Sequence, residues 1–193
     1  MKSLKEKLSD KKVYYAGIGS HNTPEEILNL MEKLGFLLGS EGYILRSGGS
    51  PGADTAFEAG AKKADAKFEI YLPWDKFRNR MGENYIDASQ LDSYKKAERI
   101  AKEHHPHFEQ LSDSSKMLII RDTYQILGKD LNTPSKFVVC WTKDGCITDR
   151  DRSRETGGTG QAISIASKRD IPIFNLKLKE HKRQIEEWVG KLS

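Results

Sequence analysis

The chain has 193 residues, with 32 Lys plus Arg against 28 Asp plus Glu for a net charge of +4; this length suits one domain whose core needs neither metal nor disulfide to fold. The mild basic excess admits an anionic ligand without requiring nucleic acid, no apolar run is long enough to span a membrane, and the N-terminal "MKSLKEKLSDKK" lacks the apolar core of a secretory signal. One domain over residues 1–193, soluble and cytoplasmic, is expected, with Cys140 and Cys146 as reduced thiols.

"VYYAG" (Val13–Gly17) is β-branched and aromatic and reads as a buried first strand. Thr23, Pro24 and Glu26 then look like a helix cap, its first turn and a capping box. Ile27, Leu30, Met31, Leu34, Leu37 and Leu38 follow at helical spacing. Tyr43–Gly48 is the second strand. Ala53, Ala56, Phe57, Gly60, Ala61 and Ala64 form one small-residue face of a second helix, able to lie close to a sheet. Lys67–Trp74 is the third strand, ended by Pro73. Asp75–Ser89 reads as a loop, Ser93–Glu103 as a helix stopped by Pro106, and Leu111–Leu127 as a longer helix ended by Gly128. Lys136–Trp141 is the fourth strand. A charged loop leads to "TGGTG" (Thr156–Gly160), which opens a short helix through Lys168. Ile171–Leu176 is the fifth strand, and an amphipathic helix with Ile185, Trp188 and Val189 ends the chain. There is no internal repeat. Strands alternating with helices predict an α/β, Rossmann-like parallel sheet flanked by helices on both faces. In such sheets ligands bind at the carboxyl ends of the strands.

Three strand-to-helix turns are glycine-rich: Gly17–Ser20, Ser47–Gly52 and Thr156–Gly160. A tight turn usually needs one glycine, and each further one costs up to about 1 kcal/mol relative to alanine. Glycine also lets a ligand approach bare backbone, and a helix start offers unpaired N–H groups with partial positive charge. A phosphate is therefore the expected guest, with Gly48 and Gly49 exposing amides to it, Gly52 in the first turn of the second helix, and Ser20, Ser47, Ser50, Thr156 and Thr159 adding hydroxyls. There is no G-x-x-x-x-G-K-[ST] loop, and Asn22 stands where a dinucleotide fingerprint needs its third glycine. Asp54 either complements the helix dipole or accepts a hydrogen bond from the ligand. Arg121 and Gln125, one turn apart, either face the ligand or solvent. Trp74 and Trp141 end strands and either stack on a ring or pack in the core. The run "DRDRSR" (Asp149–Arg154) is a solvated loop or a basic lid. "EHHPH" (Glu103–His107) has no metal-ligand spacing, so neither a metal site nor a cofactor is expected. No nucleophile–base set can be assembled, so no catalytic residue is named.

"GIGS", "SGGSPGADTAFEAGA", "CWTKDG" and "TGGTGQAISIASKRDIPIFNL", in that order from Val13 to about Leu176, resemble the SLOG superfamily of DprA/Smf-like and LOG-like proteins, in particular the compact DprA-like proteins of bacteriophages. The resemblance implies a Rossmann-like fold and a nucleotide-related ligand. It implies a site of Gly19, Ser20, Ser47, Gly48, Gly49, Gly52, Asp54, Gly157, Gly158 and Thr159. LOG enzymes carry P-G-G-x-G-T-x-x-E, whose glutamate takes part in glycosidic cleavage. Here Ser164 stands at the glutamate's place, so the resemblance implies a phosphate cradle kept and that chemistry lost. Three functions stay open: a protein that senses or sequesters a nucleotide or ADP-ribose-type signal without turnover, such as an anti-defence sponge; a DprA-like single-stranded DNA binder; and a nucleotide-processing hydrolase using Asp54 or Glu58. A nucleotide-type small molecule is the first expected partner and nucleic acid the second. A homo-oligomer is expected, and a membrane is not.

Overall fold

The computed structural model describes residues 12–192, with the side chain of Leu192 excepted, so the N-terminal stretch before Lys12 lies outside it. Six strands form one sheet: β1 Val13–Gly17, β2 Tyr43–Ser47, β3 Phe68–Leu72, β4 Tyr85–Asp87, β5 Val138–Cys140 and β6 Ile173–Asn175. Their order is β4-β3-β2-β1-β5-β6, and every pairing is parallel. The helices are α1 Glu25–Ser40, α2 Ala53–Lys63, α3 Tyr94–Glu103, α4 Asp113–Leu127, α5 Thr159–Ser167 and α6 Lys179–Leu192. This is an α/β Rossmann-like fold. The chain lays down β1 to β4 in one direction across the sheet, then returns to place β5 on the other side of β1. That reversal opens a crevice between the carboxyl ends of β1 and β5.

Strand alternation sends side chains to two cores. Tyr15, Leu45, Ile70, Leu72 and Val139 pack on one face with α1, α2 and α6; Ala16, Tyr71, Val138 and Cys140 pack on the other with α3, α4 and α5. Burial on both faces explains why these strands are mostly apolar runs, with Arg46 and Glu69 the charged exceptions. The small face of α2 meets α1 as well as the sheet. A methyl group at Gly35 would lie 2.7 Å from Phe57 O, and one at Gly60 would strike Glu32 O. The charged side chain of Arg46 is buried in β2, where its Nε pairs with Glu69 Oε2 at 2.9 Å and its guanidinium lies 3.7 Å from the Tyr14 ring centroid. Cys140 and Cys146 are both buried free thiols. Among the described residues no helix is long and apolar enough to cross a membrane.

Two expectations are corrected. The segment Asp75–Ser89 is not only loop: it contains the 3-10 turn Phe77–Asn79, the edge strand β4 and the start of a second turn at Ala88–Gln90. Three half-buried residues give too short a run for a period-2 pattern to register. The capping box at Thr23 does not form. The Thr23 hydroxyl donates to Ser20 O at 2.7 Å, tightening the β1 turn, and α1 starts after Pro24 with no side-chain cap.

Candidate functional site

The β1 strand does not stop pairing at Gly17. Ile18 N donates to Val139 O and Ser20 N to Trp141 O, both at 3.1 Å, so the "GIGS" turn is held flat against the end of β5. Beyond it lies a cavity of about 770 Å³ at the β1–β5 crevice. Its rim comprises residues 18–22, Lys143 and the segment Arg154–Thr159; its floor comprises Asp54 from α2 with Arg121, Asp122 and Gln125 from α4; Leu111, Leu118, Ile119 and Ala162 supply an apolar wall.

The turn before α5 is the most accessible of the three. Gly157 has φ +62, a conformation that favours glycine, and Gly158 is the residue before the helix, with φ −60. Both are exposed, and a Cβ at either would meet nothing within 4 Å. No side chain caps α5, and the Gly158 and Thr159 amides donate to no described group. These amides and the helix dipole are therefore available to an anion. Asp144 holds the turn from behind. Burial alone would raise its pKa, but hydrogen bonds from Ser153, Thr156 and Thr142 bring it down to about 2. The charged loop is not a basic lid as a whole. Arg152 is tucked inward, donating to His104 O at 2.7 Å, while Arg154 lines the rim.

The "SGGSPG" turn is filled by the protein itself. Arg121 Nη1 donates to Gly48 O and, at 3.3 Å, to Tyr71 O, while Arg121 Nε pairs with Asp122 Oδ1 at 3.0 Å. The Gln125 amide nitrogen donates to Asp122 Oδ1 at 3.2 Å, and its oxygen accepts from Gly48 N at 2.9 Å. A Cβ on Gly48 would drive into both the Arg121 and Gln125 side chains. Gly49, at φ +69, is approached by Arg80, whose Nε donates to its carbonyl at 2.9 Å. The glycines thus admit the chain's own guanidinium groups. The Ser47 hydroxyl is fully buried and donates to Gly17 O at 2.7 Å. Gly52, at φ +86, sits immediately before α2 and against the backbone of Ser20 and His21.

Of the sixteen ligand-site residues anticipated from sequence, ten line the cavity: Gly19, Ser20, Ser50, Asp54, Arg121, Gln125, Thr156, Gly157, Gly158 and Thr159. Ser47, Gly48, Gly49 and Gly52 lie behind them. Trp74 packs edge-on against Phe77 with ring centroids 5.1 Å apart, and Trp141 is buried in the α1/α2/α6 core; neither lines the cavity. Ser164 is fully buried outside the cavity, between Asp149, to which its hydroxyl donates, and His104 Nδ1 at 3.1 Å.

Asp122, His21, His105 and Lys143 join the site without having been anticipated, and Arg154 joins it from the run read as a solvated loop or basic lid. Asp122 had a signal. It stands in "LIIRDTYQIL", where polar residues are embedded among apolar ones with no polar face, and Ile119–Leu127 is buried throughout. Burial pushes the Asp122 carboxyl up to about 7, against the pull of Arg121 and with a further push from Asp54. Burial also raises Asp54, opposed by Arg121, the Ser50 amide, His21 and Arg80. Raised carboxyls in a cleft mark functional sites. His105 at the rim is lowered by burial and by Arg152.

The strand order defines a Rossmann-like α/β protein with a cavity at its topological switch point. No family model matches the chain, and no curated protein matches its sequence. Among solved structures it is similar to the molybdenum cofactor carrier protein of Chlamydomonas reinhardtii, at 18% identity over 83% of this chain and 98% of that one, with a TM-score of 0.39. It is also similar to DNA processing protein A of Helicobacter pylori, whose single-stranded DNA binding mode has been described, at 14% identity over 96% of this chain and 82% of that one, with a TM-score of 0.40.

Proposed function

We propose that the chain is a SLOG-like binding protein that senses or sequesters a phosphorylated, nucleotide-type small molecule in the β1–β5 cavity. The observation that carries this reading is the convergence of two anticipated glycine turns, "GIGS" and the "TGGTG" turn that forms the uncapped start of α5, on one cavity at the switch point. About 770 Å³ exceeds what a phosphate alone would fill and lies in the range of small-molecule sites. The phosphate would sit on the Gly158 and Thr159 amides, near Lys143 and Arg154. Binding without glycosidic cleavage by the LOG route is supported by Ser164, which has no carboxylate and is buried away from the cavity. The test is calorimetry with a panel of nucleotides and a single-stranded oligonucleotide at two salt concentrations. Nucleotide affinity should fall only about tenfold or less between them, because one or two phosphate contacts displace few counterions. Heat from the oligonucleotide alone, with a steep salt slope, would replace this reading with single-strand binding.

One observation favours a second reading. Asp122 titrates near neutrality beside another buried carboxyl, as proton transfer to a substrate requires. A nucleotide-processing hydrolase would then release free base from nucleoside monophosphates, and chromatography of the reaction mixture decides between the two.

A further inference from the structure

The cavity floor carries two acceptors and a donor that the protein leaves uncommitted. Asp54, Asp122 and Arg121 are each at least nine-tenths buried, yet all three line the cavity. Asp54 uses Oδ2 to accept from Ser50 N at 3.1 Å. Asp122 uses Oδ1 for both Arg121 and Gln125. Asp54 Oδ1 and Asp122 Oδ2 accept no hydrogen bond from the described residues, and Arg121 Nη2 donates none. None of these three atoms is among the buried polar atoms sealed without a partner. Each is therefore open to the cavity, where solvent or a ligand can meet its remaining hydrogen-bonding capacity.

Two acids beside a single free guanidinium nitrogen give a phosphate fewer donors than the uncapped start of α5, so the phosphate end of a ligand fits the rim better than the floor. A metal cation is disfavoured by the Arg121 guanidinium, which pairs with Asp122 and also acts on Asp54. An ammonium group could donate to the acids but has no lone pair to accept from Nη2. A hydroxyl does both, and a pair of adjacent hydroxyls offers two donors together with lone pairs for the guanidinium. The geometry points to a sugar-diol subsite: Asp54 and Asp122 receive the two hydroxyls of a ribose, Arg121 Nη2 donates to one of them, and the phosphate lies at the α5 rim. This rests on the phosphate reading above for the ligand's orientation, but not for the diol contacts.

Calorimetry with four probes tests it: ribose 5-phosphate, 2-deoxyribose 5-phosphate, methyl ribofuranoside and inorganic phosphate. Wild type should bind ribose 5-phosphate roughly tenfold or more tightly than its 2-deoxy analogue, the loss of one charge-assisted hydrogen bond. Asp122→Asn keeps an oxygen for Arg121 and Gln125 but turns an amide NH2, a donor in place of an acceptor, toward the cavity. It should weaken ribose 5-phosphate about fivefold or more, shrink the preference over the 2-deoxy analogue, and leave inorganic phosphate unchanged; Asp54→Asn should do the same. Far-ultraviolet dichroism of each variant should match wild type. Equal binding of the ribose and 2-deoxy phosphates by wild type, or an undiminished preference in both Asn variants, overturns the diol subsite while leaving the phosphate reading standing. Binding of the riboside but not of phosphate supports the subsite and removes the phosphate reading. Binding of none of the four removes both.

Discussion

Gly158 offers the cleanest test of whether the turn before α5 holds an anion. Its backbone, at φ −60 and ψ −32, suits any residue, and a Cβ would meet nothing within 4 Å. Gly158→Val should therefore fold. Valine is a poorer residue than glycine at a helix start, at a cost of up to about 1 kcal/mol, or roughly 2–4 °C in Tm for a chain of this size. Its branched side chain would stand over the Gly158 and Thr159 amides. Two hydrogen bonds to a charged group contribute about 1.5–3 kcal/mol each, so nucleotide affinity should fall at least about a hundredfold. The assay pairs thermal melting with calorimetry on a nucleotide panel. A variant that melts within a few degrees of wild type and binds equally well would show that the turn is only a turn. Gly49→Val cannot serve in its place. Gly49 sits at φ +69, and its Cβ would lie 2.9 Å from Arg80 Cδ and 3.0 Å from Ile70 Cγ2, so any loss of binding would be confounded with strain.

Other outcomes follow from the same network. Gly48→Ala should destabilise the fold by about 1–3 kcal/mol in urea titration, because the methyl collides with Arg121 and Gln125; wild-type stability would contradict the filled-turn account. Ser47→Ala leaves the Gly17 carbonyl without its hydroxyl partner and should cost about 1–3 kcal/mol of stability, with ligand affinity unchanged; a loss confined to affinity would place Ser47 at the ligand after all. Asp122 is an acid whose folded pKa, about 7, lies above its ordinary 3.8. The unfolded chain gives up this proton from about pH 4 and the folded chain only near 7, so this group's contribution to stability falls as pH rises between those values and is level above. Asp122→Asn should remove that slope, and its stability relative to wild type should climb from pH 4 to pH 7; a difference constant across that range would refute the raised pKa.

The strands and main helices were legible because their apolar runs and helical spacing survive in the sequence, as in Val13–Gly17 and α1. The edge strand β4 was not, since Tyr85–Asp87 is too short and too exposed to carry a period. At the site, glycine content alone does not tell which neighbour approaches the bare backbone. At Gly157 and Gly158 nothing does. At Gly48 and Gly49 the neighbours are Arg121 and Arg80, which lie 73 and 31 residues further along the chain. Such partners are fixed by tertiary packing, and no local pattern announces them. Arg121 and Gln125 were visible as a pair. That their face points into the protein instead of solvent depends on α4 being enclosed by both the sheet and its neighbouring helices.

The enclosure of α4 also divides the cavity into parts with different tolerance for change. Its floor belongs to a helix buried throughout Ile119–Leu127 and tied through Arg121 to two strand ends. Its rim is made of residues 18–22, Lys143 and Arg154–Thr159. Backbone opening at the floor demands dissolution of the core, so its amides should exchange with solvent only through global unfolding, whereas the rim should exchange by local opening. If the cavity holds the proposed ligand, a substitution at Arg121 or Asp122 should alter stability and recognition together, and one at Lys143 or Arg154 mainly recognition. Descendants of such a protein could therefore change the phosphate-bearing end of the ligand they accept far more readily than the end that reaches α4.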